Sequence, residues 1–122
     1  MPISYSIDHQ NRVIVETWTG DVDANVLGDY WRRMLADPDA QAIRRTLVDL
    51  RHCTVQFTGS ELSDLVRSIA EPSLKGTQWK TAIIVDQPVQ FGVSRQYHAF
   101  AESFSNDAIF EDRAAALAWL LS

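Results

Sequence analysis

The residues best suited to chemistry gather between positions 46 and 65, in the stretch TLVDLRHCTVQFTGSELSDL. Asp49, His52 and Cys53 bring a carboxylate, an imidazole and the chain's single thiol close together in sequence. Thr58, Ser60 and Glu61 follow with two hydroxyls and a second carboxylate, Gly59 lying between the hydroxyls. A thiol nucleophile needs an imidazole within hydrogen-bonding reach of the sulfur and a third group to orient that imidazole. His52 and Cys53 are adjacent, and in extended chain adjacent side chains diverge to opposite faces. Cys53 therefore reads as a small buried hydrophobe, and a thiol enzyme using Cys53 with His52 stands as the rival reading. The three histidines, His9, His52 and His98, fall in three different elements with no metal-ligand spacing between them. No metal site and no cofactor are expected. Ser94 and His98 lie a helical turn apart beside Arg95 and Glu102, which reads as a solvated face carrying ion pairs.

Thr58-x-x-Glu61 immediately ahead of Leu62 has the form of a capping box, in which each side chain satisfies the other residue's backbone amide. The start of a helix also presents unpaired amides and a partial positive charge that suit an anion. Ser60 would lie exposed in that first turn, where a phosphate gains from the helix dipole and is opposed by Glu61 and Asp64. Trp18, Phe57, Trp79 and Phe91 fall at the ends of expected elements, off the inward stripes. Two readings are open for them: they close the ends of the core, or they line a pocket or contact surface.

The elements that must position these groups are legible from periodicity. Ile3, Tyr5 and Ile7 alternate with polar residues, and Arg12 to Thr19 resumes as a second strand after the turn at Asp8 to Asn11. So short a connection makes an antiparallel hairpin. Gly20 ends that strand, and a first helix runs from Ala24 to Ala36 with Leu27, Tyr30, Trp31, Met34 and Leu35 inward, stopped by Asp37-Pro38-Asp39. Thr46 to Leu50 is a buried strand. The helix that opens at Thr58 carries Leu62, Leu65, Val66 and Ile69 and ends before Pro72. Trp79 to Val85 is the most continuously apolar strand and is placed inside the sheet. Asp86 caps a third helix with Val93, Tyr97, Phe100 and Phe104 inward. A short strand from Ala108 to Phe110 leads to a last helix capped by Asp112, with Ala115, Leu117, Ala118, Leu120 and Leu121 inward.

The order β-β-α-β-α-β-α-β-α predicts an α/β fold: one mixed, mostly parallel five-stranded sheet with four helices, as a single domain over residues 1–122. Hydrophobic residues make up 46% and charged residues 22% of the chain, the proportions of a globular protein. Net charge is −5 and there is no basic run, which argues against nucleic acid and anionic membrane as partners. One cysteine cannot form an intrachain disulfide and suits a reducing compartment. With no leader-like start and no apolar run of spanning length, a cytoplasmic location is expected.

Within the 46–65 stretch the chain resembles the anti-sigma-factor-antagonist (STAS) family in its broader SpoIIAA-like form. Val48-Asp49-Leu50 matches the family's strand end, and Thr58-Gly59-Ser60-Glu61-Leu62 lies where its Asp-Ser-Ser-Gly-Leu motif falls. The family's Asp is Thr58 here, its first Ser is Gly59, its regulatory phosphoserine position is Ser60, and its Gly is Glu61. The closing Ile109 to Arg113 and Ala116 to Leu120 resemble the tail of a bacterial subgroup of such domains, whose architecture is shared with the CRAL-TRIO lipid-transfer proteins. The resemblance implies a non-catalytic binding or regulatory domain, with Ser60 as a candidate phosphosite and a lipid-carrier module as the alternative. The expected ligand or partner site is Asp49, Phe57, Thr58, Gly59, Ser60 and Trp79. Its occupant would be a protein partner or a small apolar, anionic or amphipathic ligand, with a homodimer as an open assembly.

Overall fold

The computed structural model covers residues 1–122. A hairpin of β1 (Ile3–Asp8) and β2 (Val13–Val22) opens the chain and leads to α1 (Ala24–Leu35) and the short α2 (Pro38–Ile43). The strand β3 (Arg45–Val55) is followed by α3 (Gly59–Leu65), a π-helical turn over Val66–Ala70, and α4 (Glu71–Leu74). Then come β4 (Lys80–Ile84), α5 (Pro88–Ala101), β5 (Asn106–Phe110) and α6 (Arg113–Leu121). The strands form one sheet in the order β1-β2-β3-β4-β5, antiparallel at the first pair and parallel at the rest. As the periodicity predicts, the alternating first strand is an edge and the apolar fourth strand is interior.

Spatial order equals chain order, so each crossover from β2 onward steps the same way along the sheet. Right-handed connections then place every crossover helix on one face. The larger core forms there, from the inner faces of the strands and residues such as Leu27, Tyr30, Leu62, Val66 and Ala101. Gly28 allows α1 to approach α3, since a Cβ at that position would lie 3.2 Å from Leu65 Cδ2. The other face is covered by α6, where Ala116 and Leu120 meet Val13, Leu47, Ala82 and Ile84.

Several local expectations are corrected. Asp37 does end α1, but its carboxylate then caps α2 by accepting from the Asp39 amide, and Pro38 fills the first position, where its missing N–H costs nothing. Gly20, at φ +66°, sits inside β2 and does not end it. The strand expected over Thr46 to Leu50 runs on to Val55, with an irregularity in register where β2 advances from Thr17 to Thr19 and β3 from Asp49 to His52. The helix from Gly59 does not stop before Pro72. The π turn widens it, and α4 restarts with Pro72 in its first turn. On α5 the cap is Gln87 and not Asp86; Val93 and Tyr97 turn to the core as expected, as does Phe104 just beyond, but Phe100 is exposed and the fully buried residues are Gln90, Ser94 and Ala101. On α6 only Ala116 and Leu120 are buried; Ala115, Ala118 and Leu121 face solvent.

Candidate functional site

The expected site is divided by the sheet. Thr46, Val48 and Leu50 face the crossover helices, whereas Leu47 belongs to the core under α6. Strand alternation therefore turns Asp49 toward α6. There its carboxylate accepts from the Arg51 amide and from Arg51 Nε and Nη2, each at 3.0 Å. Burial pushes the Asp49 carboxyl up, but the Arg51 hydrogen bonds outweigh it and hold the group below the usual aspartate range. Asp49 is thus occupied by an ion pair with Arg51.

Thr58, Gly59 and Ser60 form the exposed start of α3 and its half-buried first residue. The capping box is present in both directions: Thr58 N donates to Glu61 Oε1 at 2.9 Å, and Glu61 N donates to Thr58 Oγ1 at 3.1 Å. Those amides are satisfied from within the chain. Ser60 is exposed at the second helical position. Gly59 packs against α5, where a Cβ would come within 3.0 Å of Gln96 Nε2.

Phe57 and Trp79 behave differently. Both line an internal cavity between the sheet and helices α1, α3 and α5. Its volume is about 70 Å³. One water needs roughly 10–15 Å³ on this measure, so the space takes several waters or one small organic group. Fifteen of the nineteen lining residues are hydrophobic, which favours the organic group. Five are aromatic: Trp18, Trp31, Phe57, Trp79 and Tyr97. Trp18 and Phe57 meet edge to face with centroids 6.3 Å apart. Trp31 and Tyr97 lie 6.0 Å apart across α1 and α5. Trp79 is fully enclosed, and its Nε1 donates to Thr46 Oγ1 at 2.9 Å. Of the whole lining, only Phe57, Val93 and Tyr97 are partly exposed, so they mark the way in. The aromatics that sequence places at element ends thus divide: Trp18, Phe57 and Trp79 line the cavity, and Phe91 lies outside on α5, beneath the Arg95 guanidinium.

The polar groups of the wall are Glu16, Thr46, Thr81 and Ser94. Glu16 is the single charged residue among them. Its Oε2 accepts from Trp18 Nε1 at 2.7 Å and its Oε1 from Tyr30 Oη at 2.6 Å, all three groups being buried. Burial pushes the Glu16 carboxyl up to about 6, although both hydrogen bonds favour the ionised form. Behind Thr81 in the sheet register lies Asp107, which accepts from Ser105 Oγ at 2.8 Å and leaves its other oxygen without a partner. Burial raises its carboxyl to about 6 as well.

Glu16 was not among the residues that sequence singled out, yet its signal is there. It alternates in step with Ile14 and Trp18, so a carboxylate takes an inward position of a strand. Ser94, expected on a solvated face, is buried on α5 and donates to the Gln90 carbonyl at 2.8 Å, while His98 is exposed. The ion pairs lie elsewhere, at Arg32–Asp29, Arg51–Asp49 and Arg67–Asp64. Cys53 is half buried, and burial followed by the charge of Asp49 pushes its thiol up to about 11. No group of three or more His, Cys, Asp or Glu side chains is placed to hold a metal ion. No helix is long and apolar enough to cross a membrane.

This architecture defines the chain as an α/β domain of SpoIIAA-like fold. Among solved structures it is similar to an uncharacterized protein of the DUF3478 family from Shewanella loihica PV-4, described as having a SpoIIAA-like fold. The TM-score is 0.61 at 17% identity, over 97% of this chain and 91% of that one. No protein-family model matches the sequence. No curated protein matches it either.

Proposed function

We propose that this domain is a non-catalytic binding module that holds a small, largely apolar ligand in the cavity between the sheet and α1, α3 and α5. The observation that carries the reading is the cavity's lining, an almost wholly hydrophobic and aromatic wall with a few convergent polar groups. Such a composition suits ligand pockets in general. Size favours a single ring or a short chain over a two-chain lipid, which narrows the lipid-carrier alternative. The non-covalent part of the reading rests on Cys53, whose raised thiol stays protonated near neutrality and so lacks the thiolate that nucleophilic chemistry needs.

Benzyl alcohol is a suitable probe, being one ring with one hydroxyl. A ligand that binds only the folded state raises the melting temperature with the logarithm of its concentration once that exceeds the dissociation constant. The expected result is a dose-dependent rise in the wild-type protein and its loss in Ala70→Leu, because Ala70 is a fully buried part of the wall. A wild-type melting temperature that does not move, or an equal rise in Ala70→Leu, contradicts the reading.

A further inference from the structure

We infer that the cavity selects ligands with a cationic head, an apolar amine being the chemical class, and that Glu16 is the residue that recognises it. The inference rests on the binding reading above and specifies its ligand.

Three observations carry it. First, Glu16 presents a carboxylate in the wall of an otherwise apolar cavity, and no Lys, Arg or His lines that cavity to neutralise it. Arg33 stacks over the Tyr30 ring at 5.7 Å, outside the cavity lining, and is itself exposed. Second, the carboxylate is held and aimed. Trp18 Nε1 takes one oxygen and Tyr30 Oη the other, and each oxygen keeps a further lone pair for a donor. Third, the remainder of the wall offers the faces and edges of five aromatic rings, and aromatic faces attract a desolvated cation.

Each candidate head meets a different balance. A ligand carboxylate would place a second negative charge near Glu16 at low effective dielectric, where like charges repel strongly. A hydroxyl would gain one charge-assisted hydrogen bond. An ammonium gains that bond and the attraction of opposite charges as well. The cost of burying the Glu16 carboxylate is already met in the folded protein, so the amine bears only its own desolvation, which the rings offset in part. Tyr30 and Tyr97, the other ionisable groups facing Glu16, stay protonated: burial raises Tyr30 far above the usual tyrosine value and Tyr97 well above it.

Three probes of nearly one shape test this by calorimetry at pH 7.5: benzylamine, benzyl alcohol and benzoate, each with wild type and with Glu16→Gln. The glutamine keeps the shape, its oxygen accepting from Trp18 Nε1 and its NH₂ turned to the Tyr30 oxygen, whose own hydrogen loses its acceptor. Wild type is expected to bind benzylamine at least about ten-fold more tightly than benzoate, roughly 1.4 kcal/mol. In Glu16→Gln that gap should close to within about two-fold, with benzyl alcohol weakened less than benzylamine. Benzyl alcohol binding without any preference for the amine over benzoate overturns the inference and leaves the cavity reading standing. A gap that survives in Glu16→Gln overturns it too, by removing Glu16 as its source. If none of the three binds wild type, both readings fall. Because the wild-type series alone can contradict the inference, poor folding of the variant would not shelter it.

Discussion

Glu16, Trp18 and Tyr30 form a buried set in which a carboxylate serves as the acceptor for two aromatic donors. A carboxyl whose folded-state value lies above its unfolded one is favoured by folding in its protonated form. For Glu16 the two values are 4.5 and about 6. Its contribution to stability is therefore fully present below about 4.5 and lost as pH rises through about 6. Asp107 is raised in the same direction, so a comparison with Glu16→Gln, in which Asp107 is common to both proteins, isolates Glu16. Urea denaturation of the pair at pH 4.5 and pH 7.5 should show wild type losing about 1.5 kcal/mol relative to the variant across that interval, short of the full shift because the unfolded carboxyl is already half ionised at pH 4.5. A stability difference independent of pH would mean that Glu16 is not desolvated as the packing implies. The sequence contained this residue's signal in its alternation with Ile14 and Trp18. What it lacked was the partner: Tyr30 lies on a different element, and nothing local ties it to position 16.

At the scale of elements, the features readable from sequence are those decided within a few residues. The box at Thr58 and Glu61 is one, and Asp112 capping α6 is another. Thr58→Ala should lower unfolding stability by about 1 kcal/mol, as loss of a cap hydroxyl does, measured by chemical denaturation. No loss would mean that Glu61 alone holds the helix start. The elements that sequence misplaces are those that tertiary contacts decide. Pro72 signals a stop, but the π turn before it shifts the hydrogen-bond pattern and the helix resumes, carrying Leu74 to the cavity wall. The inward face of α5 keeps the expected Val93 and Tyr97 but adds Gln90, Ser94 and Ala101, with Gln90 Oε1 accepting from the Asp86 and Gln87 amides. The irregularity in β3 after Asp49 has no sequence mark, and Cys53 beyond it packs against the same large core as Leu50.

For the whole molecule, the full strand order, and with it the one-sided placement of the crossover helices, is not fixed by sequence pattern, whereas the mostly parallel sheet with its interior β4 was legible. The cavity was not. Its wall draws on β2, α1, β3, the helical segments from α3 to α4, β4 and α5, from Glu16 to Tyr97, and is defined by volume left between them. Sequence pattern reports which residues turn inward; it does not report whether they meet. For the same reason Asp49 and Phe57, close in sequence, came apart onto opposite faces of the sheet, while Phe57 and Trp18 came together. The central claim is that binding happens inside this cavity and not at the start of α3. Methyl-resolved NMR titration with benzyl alcohol tests it most directly. Shifts are expected to concentrate on methyl groups of the wall, Leu27, Leu50, Leu62 and Ile83 among them, while those of the core under α6, such as Leu47 and Leu120, stay still. Backbone shifts confined to residues 58–61, or methyl shifts spread evenly over both faces of the sheet, would contradict it.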